Sequence, residues 1–170
     1  MTSPYQKDSV RLSIPTADGE FLATYSSRGL AELNFPDRAR GATAGSDAGV
    51  TAEVRQWHRQ TIAAVNASLA GRELADLPPL DLSCGTEFQQ RVWSVLRKIK
   101  PGQTQSYGEI ANSIGQPKAV RAVGGACGAN PIPLLVPCHR VLAANQKIGG
   151  FSGGLEWKRR LLAREGIILV

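Results

Sequence analysis

The stretch Leu77-Pro78-Pro79-Leu80 divides the chain into two parts with different hydrophobic patterns. Proline fixes its own φ angle and biases the preceding residue toward extended backbone, so two successive prolines interrupt regular secondary structure. We therefore predict a linker over 77–83, with an N-terminal unit at 1–76 and a C-terminal unit at 84–170. A chain of 170 residues has room for two small domains.

The N-terminal part has the pattern of a small antiparallel sheet followed by a helix. Alternating or short apolar runs predict strands at 10–14, 21–25 and 30–35, with Asp18-Gly19 as a turn. Residues 37–50 are rich in Ala, Gly and Asp and predict a surface loop. Residues 51–69 have helical periodicity ending at Gly71, and His58 is predicted to lie on the charged surface of that helix.

The C-terminal part is predicted to be all-helical. Thr86 with Gln89, and Ser106 with Glu109, have capping-box spacing, which indicates two helix starts. The first helix should end before Pro101, the second should reach Ile114, and a third should span 118–129. The last two form a helix-turn-helix pattern, because a short connection containing glycine joins them. The fold class predicted for the whole chain is α+β.

A candidate nucleophile follows in Pro137-Cys138-His139-Arg140. The thiolate is the reactive form of cysteine, and a neighbouring basic group favours it. The apolar run before Pro137 indicates a buried segment, which predicts an active-site loop with Cys138 in a pocket. Cys84 has no charged or histidine neighbour and is predicted to be a core residue. Three irregularly spaced cysteines favour neither a disulfide framework nor a zinc site.

Charge is distributed unevenly between the two parts. Residues 1–80 carry eight Lys/Arg and nine Asp/Glu, whereas residues 81–170 carry twelve and five. A net charge of about +7 beside the candidate nucleophile indicates a polyanionic partner such as DNA. The sequence has neither a membrane-spanning run nor a signal-peptide pattern, so we expect a soluble, cytoplasmic protein, associated with the nucleoid in a bacterium.

The third predicted helix carries few side chains that could read base edges. Only Lys118 and Arg121 are long and polar, and Ala122, Gly124 and Gly125 leave much of its surface bare. These glycines suit either tight packing on a neighbouring helix or close approach of a nucleic-acid backbone. Together with Cys138, the pattern indicates binding without sequence preference, coupled to chemistry on one extruded base. Arg121 is positioned to fill the vacated space.

Several motifs in order resemble the O6-alkylguanine-DNA alkyltransferase family over residues 82–166. They are Gly85-Thr86-Glu87-Phe88-Gln89-Gln90-Arg91-Val92-Trp93, Ser106-Tyr107-Gly108-Glu109-Ile110-Ala111, Lys118-Ala119-Val120-Arg121-Ala122-Val123-Gly124, Asn130-Pro131-Ile132-Pro133, Pro137-Cys138-His139-Arg140-Val141 and Gly150-Phe151-Ser152-Gly153-Gly154-Leu155, with Leu161-Leu162 and Glu165-Gly166 after them. The first 80 residues match in layout only, as a ribonuclease-H-like domain. The resemblance implies direct-reversal DNA repair, in which Cys138 irreversibly takes the alkyl group from O6-alkylguanine, and also from O4-alkylthymine.

The resemblance also implies a role for each matching residue. The catalytic set is Cys138 as acceptor, His139 as base acting through a water, Glu165 orienting it, Tyr107 donating to the base, and Asn130 supporting the turn. The DNA-binding set is Arg121, Tyr107, Lys118, Gly124, Gly125 and Ala122. The substrate pocket is Val141, Phe151, Ser152, Gly153, Lys158 and Pro133, with Phe151 where many relatives have tyrosine.

The implied partner is double-stranded DNA, bound largely without sequence preference through the minor groove by a monomer that could bind cooperatively. No cofactor or metal is expected. Two other hypotheses remain open. The chain could be a non-catalytic helix-turn-helix protein that binds alkylated DNA, or a Cys-His hydrolase that forms a thioester and turns over.

Overall fold

A computed structural model describes residues 8–39, 44–45 and 49–169. Strands β1, β2 and β3 span Val10–Thr16, Gly19–Ser26 and Gly29–Asn34, and the short helix α1 spans Pro36–Ala39. Helices α2 and α3 span Ala52–Leu69 and Glu87–Leu96. Strand β4 (Gln105–Ser106) leads into α4 (Tyr107–Ser113), followed by α5 (Val120–Gly128), β5 (Val141–Leu142) and α6 (Leu155–Arg164).

The three predicted N-terminal strands form one antiparallel sheet in the order β1-β2-β3. The first hairpin closes with Thr16 opposite Gly19, whose φ of +116° is a conformation that favours glycine. Phe21 and Ile14 are register partners and both are fully buried. The predicted combination of a small sheet with helices is therefore confirmed, and the strands run slightly longer than the alternation indicated.

Helix α2 begins at Ala52, one residue after the start of the predicted span 51–69. Thr51 Oγ1 accepts a hydrogen bond from the Val54 amide at 3.2 Å, and Val54, Trp57 and Val65 turn inward. His58 differs from its prediction as a surface residue, because it is half-buried and its Nδ1 lies 2.9 Å from the Tyr25 hydroxyl. The predicted loop at 37–50 begins inside α1, while residues 40–43 and 46–48 lie outside the described residues.

The Pro-rich segment is attached to the sheet. The Leu30 amide donates to the Pro79 carbonyl at 2.8 Å, and the Asp81 amide donates to the Leu30 carbonyl at 2.7 Å. Leu80 thus forms a parallel bridge with Leu30 at the edge of β3. A proline cannot donate a backbone hydrogen bond, but its carbonyl can accept one, which is how this segment pairs.

Both predicted capping boxes are present in atomic detail at the starts of α3 and α4. Helix α3 ends at Leu96, earlier than predicted, and α5 is shorter than the predicted span 118–129. The C-terminal part is not all-helical, because β4 and β5 form a two-stranded parallel sheet. Each strand has only two residues, which is too short for alternation to be visible in the sequence.

The two parts share one hydrophobic core. Trp157 of α6 packs against Phe21 and Phe35, with ring centroids 5.7 and 4.9 Å away. The Arg164 guanidinium forms a forked ion pair with Asp18 through contacts of 2.7 and 2.8 Å. Within the described residues, no helix is both long and apolar enough to cross a bilayer.

Candidate active site

Cys138 lies at the start of a buried 3₁₀ turn, and only 4% of its surface is exposed. Asn130, at the end of the segment that follows α5, donates from Nδ2 to Cys138 Sγ at 3.1 Å. The same amide group donates to the Val136 carbonyl and accepts from the Ile132 amide, at 2.7 and 3.0 Å. Asn130 therefore joins the end of α5 to residues 132–142, which we call the acceptor segment, and its amide also touches the sulfur.

The backbone leading to Cys138 is strained. Leu134 is fully buried and has a φ of +73°, a left-handed conformation that a branched side chain rarely adopts. Such a residue costs about 1–3 kcal/mol and persists only where the surrounding packing holds it. The acceptor segment is therefore held in one conformation by its surroundings.

Next to Cys138, the side chains of His139, Glu165 and Arg140 form a buried chain of polar contacts that we call the relay. His139 Nε2 is 2.9 Å from Glu165 Oε1, and both side chains are fully buried. Arg140 donates from Nε and Nη2 to the same carboxylate at 2.9 to 3.1 Å. His139 Nδ1 is buried and makes no hydrogen bond within the described residues. With Nε2 facing the carboxylate, Nδ1 is the ring atom left to receive a proton.

Burial sets the protonation states of this group. Burial raises the pKa of Cys138 to about 11, although the Asn130 hydrogen bond and the Lys158 charge oppose the shift. Burial lowers the pKa of His139 despite its contact with Glu165. Burial alone would raise the pKa of Glu165, but hydrogen bonds from His139 and Arg140 outweigh it and bring it to about 2. At neutral pH the resting site thus holds a thiol, a neutral imidazole and a carboxylate.

Lys158 is a fully buried lysine on α6. Its ammonium donates to the Val141 carbonyl at 2.6 Å and to the Gly150 carbonyl at 3.0 Å. Burial lowers its pKa to about 8, and the two cysteines Cys138 and Cys127 oppose that shift. Lys158 therefore joins β5 to the Gly149-Gly150 loop and places positive charge near the acceptor.

The β4–β5 pairing brings Tyr107 toward the acceptor segment. Ser106, the cap of α4, pairs with Leu142, and Tyr107 follows it directly. A Cβ on Gly149 would lie 3.1 Å from the Tyr107 hydroxyl, so only glycine lets the loop pass here. Burial raises the pKa of Tyr107, which keeps the phenol protonated and able to donate.

The bare surface of α5 faces outward. A Cβ placed on Gly124, Gly125 or Gly128 would meet nothing within 4 Å. Tight packing within the chain is thus not the reason for these glycines. Arg121, Ala122 and Gly125 are exposed on α5, and Lys118 is exposed just before the helix begins. The helix presents a flat, weakly polar face with a cation near its start.

Three of the predicted pocket residues, Pro133, Ser152 and Gly153, lie beside β3. A cavity of about 140 Å³ lies there and extends to β3 and the start of α1. Its lining includes Asn130, Pro133, Ser152, Gly153, Phe35 and Arg38. Phe151 packs on Phe35, with centroids 5.8 Å apart in an edge-to-face arrangement. Val141 and Lys158, also in the predicted pocket set, are joined to each other by the hydrogen bond described above.

Comparisons with known proteins agree with this arrangement. A family model described as the DNA-binding domain of 6-O-methylguanine DNA methyltransferase matches residues 87–167. The methylated-DNA–protein-cysteine methyltransferase of Mycobacterium bovis is 55% identical over 102 residues, which is 59% of this chain and 61% of that protein. The crystal structure of the Mycobacterium tuberculosis O6-methylguanine methyltransferase superposes with a TM-score of 0.73 at 38% identity, covering 92% of both chains. The chain belongs to the methylated-DNA–protein-cysteine methyltransferase family.

Other methyltransferase relatives extend the comparison beyond the C-terminal part. The bifunctional transcriptional activator and DNA repair enzyme Ada of Escherichia coli is 38% identical over 159 residues, which is 86% of this chain and 42% of Ada. The M. tuberculosis OGT structure in complex with DNA has a TM-score of 0.71 at 37% identity, covering 90% of each chain. The matches with the curated relatives span 61% and 46% of the M. bovis and Haemophilus influenzae proteins.

Two features of this methyltransferase-family site were not predicted from the sequence. Arg140 is 3% exposed and ties Glu165 to the Ile99 carbonyl, which lies 2.6 Å from its Nη1. Its place beside Cys138 and His139 was the available signal. Phe35, in the N-terminal part, gave no signal, because nothing in the sequence links it to Phe151. The prediction for Cys84 was wrong, since this cysteine is exposed. It lies in the turn before α3, where no core surrounds it.

Proposed function

We propose that this chain repairs DNA by transferring the alkyl group of O6-alkylguanine, and of O4-alkylthymine, irreversibly to Cys138. The observation that carries the proposal is the Cys138 thiol, held by Asn130 beside the buried relay of His139, Glu165 and Arg140. A nucleophile, a base and a group that orients the base form the arrangement that activates a thiol.

The transfer proceeds as one displacement at the alkyl carbon. The Cys138 proton passes through a water to His139 Nδ1, and the thiolate attacks the carbon bound to O6. The new S–C bond forms as the C–O6 bond breaks, and the bonding electron pair stays on the guanine. Tyr107 donates a proton to the guanine ring nitrogen N3 and regains one from the imidazolium through solvent. The products are a thioether on Cys138 and unmodified guanine.

The relay keeps the thiol protonated in the resting site and stabilises the imidazolium that forms when the thiol gives up its proton. In the resting site, burial holds the pKa of Cys138 near 11, so the thiol stays protonated and resists oxidation. The Glu165 carboxylate stabilises the imidazolium that forms when His139 takes the proton, because opposite charges attract strongly in a buried site. Without a second step that cleaves the thioether, each protein molecule acts once.

DNA delivery is assigned to the face of α5. We propose that α5 enters the minor groove, that Arg121 replaces the extruded base, and that Lys118 contacts a phosphate. The open space above Gly124, Gly125 and Ala122 supports this, because it allows a sugar–phosphate backbone to approach closely. In this proposal residues 84–170 carry binding and chemistry, residues 77–83 link the parts, and residues 1–76 support the pocket. The protein binds as a monomer without sequence preference, and neighbouring molecules on DNA could bind cooperatively.

The proposal is tested by mass spectrometry of the intact protein after incubation with duplex DNA carrying O6-methylguanine. Cys138→Ala should gain no methyl group yet still bind DNA, whereas the matched control Cys84→Ala should be methylated as fully as the wild type. Methylation of Cys138→Ala would show that the acceptor is another residue. DNA binding by a wild-type protein that is never methylated would favour the non-catalytic alternative.

A further inference from the structure

Three of the predicted substrate-pocket residues share a cavity with an aromatic residue of the N-terminal part. Phe35 follows β3 directly, is 2% exposed and belongs to the N-terminal part of the chain. It lines the cavity of about 140 Å³ that also contacts Pro133, Ser152 and Gly153. The roles assigned so far to the N-terminal part do not explain why an aromatic ring lies at this place.

Phe35 touches the pocket through two contacts. Its ring lies edge-to-face with Phe151 at 5.8 Å and 76°. A Cβ placed on Gly153 would lie 2.6 Å from Phe35 Cε2 and 2.7 Å from Phe151 Cε1. The backbone at Gly153 is therefore confined between the two rings.

The ring itself is held firmly from behind. Phe35 packs against Phe21 at 5.4 Å and Trp157 at 4.9 Å. Two residues earlier, the Leu33 amide donates to the Pro131 carbonyl at 2.9 Å, which ties β3 to the loop that carries Pro133. Close-packed side chains resist displacement, so this support transmits the position of the sheet to the pocket.

We propose that Phe35 is a specificity-determining residue, which fixes Phe151 and Gly153 and so sets the size of alkyl group that the pocket accepts. The inference rests on the proposed alkyl transfer. A smaller side chain at position 35 leaves space behind Phe151, and the ring can then retreat from a bulky substituent. A methyl group needs no such movement. The effect is therefore a change in preference between substrates and not a uniform loss of rate.

The test compares the rates of transfer from duplexes that carry O6-methylguanine or O6-benzylguanine in the same sequence. For Phe35→Leu we expect the benzyl-to-methyl rate ratio to rise about tenfold or more, the scale on which changes in apolar pocket volume alter selectivity. Phe88→Leu is the matched control, because Phe88 packs against the same hydrophobic core from α3, while the rings that contact Phe35 are those of Phe21, Phe151 and Trp157. Its ratio should stay at the wild-type value.

A second variant keeps the test decisive if Phe35→Leu folds poorly. Gly153→Ala adds a methyl group between the two rings and should lower the benzyl-to-methyl ratio. When Gly153→Ala is combined with Phe35→Leu, the benzyl-to-methyl ratio should recover, whereas combining it with Phe88→Leu should not restore the ratio. An unchanged or lower ratio in Phe35→Leu, or equal shifts in both leucine variants, overturns the role of Phe35. If Phe35→Leu is unfolded, Gly153→Ala alone provides the test. An unchanged benzyl-to-methyl ratio in Gly153→Ala then overturns the proposed role of Phe35.

The outcome separates this inference from the function on which it rests. Transfer of both groups by the wild type, with a ratio that Phe35→Leu does not change, contradicts only the role of Phe35. Failure of the wild type to transfer either group contradicts the proposed alkyl transfer itself.

Discussion

At the scale of single residues, the Glu165 carboxylate is the group that His139 and Arg140 share. It lies 2.9 Å from His139 Nε2, accepts hydrogen bonds from Arg140, and accepts one from the Gly102 amide at 3.4 Å. We predict that Glu165→Gln slows alkyl transfer about a hundredfold or more, because a neutral amide cannot stabilise the imidazolium on His139. The rate is measured under single-turnover conditions at a temperature where the variant is folded.

The matched control for that variant lies on α6, the helix that ends one residue before Glu165. Glu156 of α6 has an exposed side chain paired only loosely with Arg160 at 3.6 Å. Glu156→Gln should transfer at the wild-type rate, since a surface ion pair contributes little. Equal rates in Glu165→Gln and the wild type would remove Glu165 from the proposed relay.

Cys127 is a second buried thiol, and it makes stability depend on pH. Burial raises its pKa from 9.0 to about 12. Above pH 9 the unfolded chain releases this proton while the folded chain keeps it, so the free energy of unfolding falls as pH rises. Relative to Cys127→Ala, the wild type should lose about 1.4 kcal/mol per pH unit above pH 9. Urea unfolding at several pH values measures this, and parallel curves for the two proteins would contradict it.

At this scale, sequence patterns identify candidate site residues where neighbours in the chain are neighbours in space. Cys138 and His139 could be chosen because they are adjacent, and Asn130 because a known motif contains it. Arg140 and Phe35 were missed since their roles depend on Glu165 and Phe151, which lie far along the chain. Cys84 was assigned to the core because cysteine is usually buried, and residue type alone does not show whether other residues pack over the turn that contains it.

At the scale of secondary-structure elements, the exposed glycines of α5 affect both helix stability and the proposed DNA binding. Alanine stabilises a helix interior by about 1 kcal/mol relative to glycine, and a Cβ at position 125 meets nothing within 4 Å. We predict that Gly125→Ala raises the free energy of unfolding by about 0.5–1 kcal/mol but weakens binding to duplex DNA. Unfolding curves and a binding titration at fixed salt measure the two effects.

The control for this variant is Ala67→Gly on α2, a helix far along the chain from α5. It should lower stability and leave DNA affinity unchanged. If Gly125→Ala binds DNA as tightly as the wild type, the face of α5 does not approach the DNA backbone.

Helix starts were predictable at the element scale, while short pairings were not. Side-chain oxygens of Thr51, Thr86 and Ser106 define three starts by local hydrogen bonds, and local rules suffice for those. The β4–β5 pairing joins residues more than thirty positions apart through two register pairs. In the sequence, each short strand is recognisable only as a segment beside a motif, and this position does not indicate which segment it pairs with.

At the scale of the whole molecule, the predicted linker proves to be part of the packing. At the edge of β3, the Leu30 amide donates to the Pro79 carbonyl and the Leu30 carbonyl accepts from the Asp81 amide. Asp18 accepts hydrogen bonds from Arg164 of α6. The sequence pattern predicts an N-terminal sheet part and a basic C-terminal part. It could not show the shared core, because side chains from both parts meet only after folding. The N-terminal part thereby reaches the pocket through Phe35.

The central claim is that Cys138 accepts an alkyl group once and is then spent. The most direct measurement incubates the wild-type protein with excess duplex containing O6-methylguanine and counts methyl groups per protein by intact mass, together with guanine restored in the DNA. We predict that both quantities stop at one per protein and that fresh substrate does not restart the reaction. Repair that continues beyond one guanine per protein, or DNA binding with no methyl group on Cys138, would contradict the account.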